Sequence, residues 1–141
     1  HARDDAERAV ALEPEHWPGW ANLGVALGML GELDGAERAF YEALRRKPDH
    51  VHTRREAAAV QYNLGCRHAL RAAGREGKTA APRPIAADVA AGERDAAFGH
   101  LERAADLGWS DADHSERDAD LASLREDPRW APWLGRLRGR K

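Results

Sequence analysis

The sequence predicts an all-α protein made of helical hairpins, and three observations lead to this prediction. Apolar residues recur at helical spacing, as at Leu23, Leu27 and Leu30. Most of the glycine and proline residues stand in clusters that are typical of turns, so they seldom interrupt the helical segments. A pattern of small, large and helix-breaking residues also recurs with a period of 34 residues. We therefore expect pairs of helices joined by short turns.

Residues 17–50 form the complete repeat. Its first helix begins near Trp17, and Gly31 is expected to stop it, since glycine is common just beyond a helix end. A second helix follows, which Asp34 can cap at its start and which Pro48 ends. Each of these signals is local, so both helices of this hairpin are predicted from the sequence alone.

Small residues inside this hairpin have a packing reason. Gly24 and Ala36 allow the two helices to approach closely, and the large ring of Phe40 can then fill the adjoining space. Counting back 34 residues from Ala36 leads to Ala2, so residues 1–16 are predicted to be the second helix of a preceding repeat. We therefore expect the chain to be a piece of a longer protein.

After Pro48 the register of the repeat has two solutions. Aligning Leu64-Gly65 with Leu23-Gly24 places the two units 41 residues apart and needs a helix about two turns longer. Keeping the period of 34 residues equates Leu64-Gly65 with Leu30-Gly31 and ends the helix there. We prefer the longer helix, which covers residues 51–73.

A long loop is predicted next. Residues 74–92 are rich in glycine, proline and small side chains, which favours a mobile connection. The helical pattern returns with Ala97, Leu101 and Ala104, and Gly108 closes it. Residues 51–108 are therefore predicted to be a terminal hairpin whose two helices are separated by this loop.

Residues 1–50 contain Trp20, Leu23, Gly24 and Leu27, followed by Ala36, Phe40, Ala43 and Pro48. With these residues the segment resembles the tetratricopeptide repeat (TPR) family, with Leu27 in place of the family's tyrosine. The resemblance implies TPR-type hairpins that stack as a short right-handed solenoid.

The C-terminal part resembles the segment that ends the repeat array in many bacterial TPR proteins. The matching residues are Tyr62, Asn63, Cys66, Leu101, Glu102, Ala104, Leu121, Leu124, Arg125, Asp127, Pro128, Arg129 and Trp130. The resemblance implies that residues 109–141 form a capping segment, in which Asp127 and Pro128 make a strong helix start. The departure from the family is the loop, which is longer than this segment usually has.

The TPR resemblance also implies a binding surface. In this family the first helix of each hairpin lines a concave groove, where extended peptides or helices dock. Carried over residue by residue, the groove would be lined by Ala21, Asn22, Val25 and Met29 from one hairpin and by Tyr62, Asn63, Cys66 and Leu70 from the next. Asn22 and Asn63 fall at matching positions, and a carboxamide can both donate to and accept from a peptide backbone. Alternatively, each amide bonds its own helix or solvent.

No constellation of residues predicts catalysis, a metal site or a cofactor. Gly77-Lys78-Thr79 lacks the glycine and the preceding strand of a phosphate-binding loop. Cys66 has no second thiol nearby in sequence, and we interpret it as a small packing residue. The acidic residues Asp111, Asp113, Glu116, Asp118 and Asp120 lack the glycine and the terminal glutamate of a calcium loop, and helix capping explains them better.

Charge and hydropathy narrow the range of partners. A net charge of −2 and a short basic tail at Arg136, Arg138, Arg140 and Lys141 do not predict binding to nucleic acid or to an anionic membrane. No apolar run approaches the length of a membrane span, and the lone cysteine favours a reducing, cytoplasmic compartment.

The function predicted from these observations is that of a protein-protein interaction scaffold, which is not an enzyme and needs no cofactor. Its partner would be a peptide or helix of another protein. The alternative is a regulatory domain that docks on an enzyme or kinase domain of its own larger parent protein, and this alternative is argued from analogy with other TPR proteins.

Overall fold

A computed structural model describes residues 2–139, which contain helices and no β-strand, so the all-α prediction is confirmed. His1, Arg140 and Lys141 lie outside the described residues, and with them the first residue of the predicted half-repeat and the end of the predicted basic tail. The helices are α1 (Ala2–Leu12), α2 (Trp17–Met29), α3 (Leu33–Arg46), α4 (Val51–Ala72), α5 (Ala87–Asp106), α6 (Ala112–Arg117), a 3-10 helix (Ala119–Leu124) and α7 (Trp130–Arg138). The chain forms two compact units, one ending at Val60 and one beginning at Gln61.

Helices α2 and α3 form the hairpin of the first unit. A Cβ atom added to Gly24 would lie 2.8 Å from the ring of Phe40, so the two helices meet where only glycine fits. Ala36 and Ala43 on α3 are fully buried beside Phe40. This small-to-large packing between Gly24 and Phe40 was predicted from the sequence and is confirmed.

The start of α2 is tied to the preceding turn. The indole Nε1–H of Trp20 donates a hydrogen bond to the carbonyl oxygen of Pro14 over 2.7 Å. The guanidinium of Arg46 lies over the same indole, 5.5 Å from the ring centre. Trp20 therefore joins α2 both to the turn that follows α1 and to the last turn of α3.

Helix α2 ends as predicted, whereas the predicted cap of α3 is wrong. Gly31 adopts a φ of 77°, and the Glu32 N–H donates to the Leu27 carbonyl over 2.9 Å, which is the hydrogen bond of a Schellman ending. Glu32 precedes α3 and makes no side-chain capping bond, and Asp34 lies inside the first turn. A carboxylate there favours the helix start through the helix dipole.

The second unit contains a hairpin with the same packing rule. Helix α4 continues through Gly65 to Ala72, so the longer of the two predicted helices is the correct one. A Cβ atom on Gly65 would lie 2.7 Å from Cδ2 of Leu101 on α5. Leu101 therefore packs against Gly65 in the same way that Phe40 packs against Gly24.

The loop is shorter than predicted, because α5 begins at Ala87 and not after residue 92. Asp88 in the first turn of α5 complements the helix dipole. The loop is also closed by a backbone bond, in which Arg83 N–H donates to the Gly74 carbonyl over 2.9 Å. Gly74 has a φ of 77°, and a Cβ atom there would lie 2.0 Å from the Arg83 oxygen.

The capping segment completes the core of the second unit. Trp133 Nε1–H donates to the Leu101 carbonyl over 2.9 Å, and Ser123 Oγ–H donates to the Ala69 carbonyl over 2.6 Å. The apolar residues that were predicted to cover the hairpin are all buried in this core: Leu121, Leu124, Trp130, Trp133, Leu134 and Leu137. The predicted helix start at Asp127 is displaced, since α7 begins at Trp130.

Two helices of the described chain, α4 and α5, are long enough to be considered as membrane spans. Neither they nor any other described helix combines the length and the apolar character that crossing a bilayer requires.

Candidate functional site

Helix α2 presents one buried face and one open face. Leu23 and Leu27 are buried in the first unit. Asn22 and Val25 lie on the other side of the helix, exposed and half-buried respectively, and Met29 one turn further on is 84% exposed. Since residues three and four apart are neighbours on a helix surface, these three side chains form one continuous open strip.

A cleft of about 190 Å³ opens beside this strip. Its wall combines α2, α3 and the first turns of α4, and the lining residues are Trp17, Pro18, Ala21, Asn22, Val25, Phe40, His50, His52, Thr53 and Glu56. Three of the four residues predicted for this hairpin, Ala21, Asn22 and Val25, are among them, while Met29 lies on the strip outside it. We call this feature the α2 cleft.

The rim of the α2 cleft is held by His50. Its imidazole packs on the Trp17 indole with ring centres 4.6 Å apart, and its Nδ1 lies 2.8 Å from Thr53 Oγ1. The Thr53 backbone N–H also donates to Nδ1 over 3.3 Å, so Nδ1 acts as an acceptor and the neutral ring carries its proton on Nε2. This fixes the aromatic edge of the cleft.

The polar end of the α2 cleft is formed by α4. His52 Nε2 lies 3.7 Å from Glu56 Oε1, one turn along the helix. Together with the exposed amide of Asn22, these groups give the cleft polar atoms at its mouth and apolar atoms from Ala21 and Val25 along its wall. Such a surface suits a peptide that offers both an apolar side chain and backbone polar groups.

Two residues predicted for the groove lie elsewhere. Tyr62 is 3% exposed and Cys66 is 6% exposed, and both belong to the core of the second unit. The Tyr62 ring stacks on the Trp109 indole with centres 4.2 Å apart. These two side chains are therefore covered by the segment after α5 and are not available to a partner. Asn63 is exposed and Leu70 is half-buried, and neither residue lines the α2 cleft.

The buried Tyr62 and Cys66 take part in a polar cluster. Tyr62 Oη–H donates to Asp118 Oδ2 over 2.7 Å, and Cys66 Sγ–H points to the same oxygen over 3.7 Å. Asp118 Oδ1 accepts from the Asp120 backbone N–H over 3.0 Å, and Asp120 Oδ2 pairs with Lys78 Nζ at 3.1 Å. We call these five residues the Asp118 cluster.

Burial governs the protonation of this cluster. It raises the pKa of the Tyr62 hydroxyl, and the hydrogen bond to Asp118 adds to the effect. Burial likewise raises the pKa of the Cys66 thiol, with a further contribution from the charge of Asp118. Both groups keep their protons at neutral pH, so Cys66 as it stands is a poor nucleophile.

Two of the five acidic residues for which the sequence favoured helix capping, Asp111 and Asp118, do cap helices, whereas Glu116 pairs with Arg138 and Asp120 with Lys78. Asp111 Oδ1 accepts from the His114 N–H over 3.0 Å at the start of α6. Asp118 caps the 3-10 helix through the Asp120 N–H. The sequence did not indicate that Asp118 also reaches Tyr62 and Cys66, because these residues are more than fifty positions apart in the chain.

Sequence reasoning also missed the contribution of α4 to the α2 cleft. The repeat pattern assigned none of His50, His52, Thr53 and Glu56 to a binding surface. The available signal was their position, since the first turn of the helix after a hairpin must pass close to that hairpin.

Comparison of the chain with protein-family models, with curated proteins and with solved structures finds no match.

Proposed function

We propose that this protein is an interaction module that binds an extended segment of a protein partner in the α2 cleft. The observation that carries the proposal is the coincidence of an open helix face with a cleft: Asn22 and Val25 belong to both, and Met29 extends the same face. An exposed methionine suits an adaptable apolar contact. A binding segment would place an apolar side chain in the cleft and pair its backbone with the Asn22 amide.

The size of the α2 cleft favours a peptide over a small-molecule substrate. Sites for small molecules usually enclose about 300–1,000 Å³, whereas this cleft measures about 190 Å³. A peptide needs no enclosed chamber, because one side chain can enter the cleft while the backbone runs along the Asn22–Met29 strip. The rigid aromatic edge made by Trp17 and His50 limits the entropy lost on binding.

We further propose that both hairpins are of the tetratricopeptide type. The support is the repeated contact of a helix glycine with a large apolar side chain, Gly24 with Phe40 and Gly65 with Leu101. In such an arrangement the first helix of a hairpin faces the ligand, which agrees with the position of the α2 cleft. That the partner is another domain of the parent chain, and that the protein is cytoplasmic and bacterial, stay predictions from the sequence.

The proposal is tested by selecting binders from a display library of random short peptides, followed by titration calorimetry with the best binder. We expect Val25→Arg to weaken binding at least tenfold, because a charged side chain then blocks the cleft wall. The matched control is Val89→Arg on α5, which adds the same charge at an exposed position outside the cleft. Equal affinity of Val25→Arg and the wild type would refute the proposed site, as would selection of no binder.

A further inference from the structure

We propose that the Asp118 cluster binds a divalent transition-metal ion of the zinc class through Cys66, Asp118 and Asp120, at the place where the Lys78 ammonium lies. One ligand atom from each of the three residues, a thiol sulfur and two carboxylate oxygens, lies within 4.8 Å of both others. Cysteine and aspartate are both established zinc ligands. Helix capping needs only the aspartates, so it does not explain why the Cys66 thiol lies beside them.

The distances of the Asp118 cluster are close to those of a tetrahedral site. Zinc bonds of about 2.0–2.3 Å place neighbouring ligand atoms about 3.3–3.8 Å apart. Cys66 Sγ already lies 3.7 Å from Asp118 Oδ2. The three ligand atoms of Cys66, Asp118 and Asp120 all lie within 4.8 Å of one another, so the Asp120 carboxylate has to move by about an ångström to reach these distances. Rotation of the Asp120 side chain supplies such a movement.

The ion pair of Lys78 indicates that this place favours a cation. Its Nζ lies 3.1 Å from Asp120 Oδ2, and its side chain is 75% exposed while that of Asp120 is 10% exposed. The ammonium thus reaches a nearly buried carboxylate from the solvent side, through the loop between α4 and α5. Because the Lys78 side of this ion pair is solvated and flexible, the pair is weaker than a fully buried one. A divalent ion that engages the thiolate and both carboxylates can therefore displace it.

The surroundings of the cluster supply an outer shell. Tyr62 Oη–H donates to Asp118 Oδ2 and so orients that carboxylate, which is the usual task of a group next to a metal ligand. His114 Nε2 lies 3.6 Å from the same oxygen and is 55% exposed, at the open side of the cluster. When a metal binds, the Cys66 S–H proton passes to solvent and the sulfur lone pair forms the new bond.

Cobalt(II) titration of the full 141-residue chain tests the proposal, because a cobalt-thiolate bond gives a near-ultraviolet charge-transfer band and Cys66 is the only cysteine. We expect one equivalent of cobalt(II) to bind and to produce this band, and we expect zinc to displace the cobalt. Lys78→Met should bind roughly two- to fivefold more tightly, since it removes a competing cation. Asp120→Asn should bind at least tenfold more weakly.

Two controls keep the test decisive. Asp113→Asn removes an exposed carboxylate of the same segment outside the cluster and should leave cobalt affinity unchanged. Cys66→Ala should abolish the charge-transfer band while far-ultraviolet circular dichroism confirms folding. If that variant does not fold, the opposite shifts of Lys78→Met and Asp120→Asn decide. Absence of the band in both the wild type and Lys78→Met would overturn the proposal, as would equal affinities of Asp120→Asn and the wild type.

Discussion

At the scale of single residues, the contact between Gly65 and Leu101 sets how closely α4 and α5 approach. We predict that Gly65→Ala destabilises the protein by about 1–3 kcal/mol. The added Cβ would lie 2.7 Å from a Leu101 side chain that is fully buried, so it cannot move aside without disturbing the core. This cost outweighs the gain of about 1 kcal/mol in helix propensity. Urea unfolding followed by circular dichroism measures the difference.

Gly92→Ala is the matched control for this prediction. Gly92 lies inside α5, and nothing lies within 4 Å of an added Cβ, so only the propensity gain remains. We expect the variant to be more stable by about 0.5–1 kcal/mol. If Gly65→Ala proved as stabilising as Gly92→Ala, the close approach of the two helices would be contradicted.

At the residue scale, the sequence predicted a contact between paired helices correctly. Gly24 facing Phe40 was derived from the need for small residues between close helices, and the structure has that contact. The positions of Tyr62 and Cys66 were not predicted correctly, because a helix periodicity shows which residues share a face but not what covers that face. Here the cover is Trp109 and Asp118, supplied from far along the chain.

At the scale of elements, the turn before α7 is held by an ion pair. Arg129 donates hydrogen bonds from its side chain to both oxygens of Asp127, and from its backbone N–H to Oδ1. The side-chain hydrogen bond from Arg129 is the main reason that the pKa of Asp127 falls to about 2. The same guanidinium reaches Asp95 on α5 over 2.8 Å and so connects the turn to that helix.

We predict that this pair makes stability depend on pH in the acid range. The folded pKa of Asp127, about 2, lies below the ordinary value of 3.8, so the carboxylate stabilises the fold above about pH 4. That contribution is lost as the pH falls through about 2. Asp127→Asn should therefore be less stable than the wild type at pH 7, and the two should converge in acid. Unfolding midpoints measured across this range provide the test.

Glu126→Gln serves as the control, because Glu126 is the exposed neighbour of Asp127. Its effect should stay within about 0.5 kcal/mol at every pH. A difference between Asp127→Asn and the wild type that persisted unchanged down to pH 2 would show that hydrogen bonding by the neutral side chain, and not the charge, holds the turn.

Among the elements, α2, α3 and the full length of α4 were predicted from periodicity and from the signals that stop a helix. The start of α5 was missed because residues 87–92 are mostly small, end in Gly92 and follow closely on the prolines of the loop, so the local pattern did not separate them from the loop. Its first turn forms because the rest of α5 packs through Phe98 and Leu101. The pattern of a short sequence segment does not reveal this tertiary packing.

At the scale of the molecule, the core of the unit from Gln61 onward is completed by its last helix. Trp133 is 1% exposed and donates its indole N–H to the Leu101 carbonyl. We predict that Trp133→Ala destabilises the protein by about 3–5 kcal/mol, because it removes a large buried ring and leaves a cavity. Trp133→Phe keeps most of the apolar volume and loses the hydrogen bond, so its cost should be smaller. Calorimetric unfolding compares the two.

A cost below about 1 kcal/mol for Trp133→Ala would mean that α7 does not contribute to this core. The sequence predicted that the six apolar residues of the segment are buried, because a run of large side chains at helical spacing needs a surface to cover. It could not predict the Asp118 cluster, which requires residues from α4, the loop and the 3-10 helix to meet.

The claim that the α2 cleft binds a peptide is tested most directly by a ¹H–¹⁵N correlation spectrum of the protein titrated with the selected peptide. The account predicts that the largest shifts fall on the lining residues Asn22, Val25, Thr53 and Glu56 and on the Trp17 indole N–H. The same titration of Val25→Arg should leave the signals of Asn22, Thr53, Glu56 and the Trp17 indole in place. Shifts confined to residues outside the cleft, or the same shifts in the Val25→Arg variant, would contradict it.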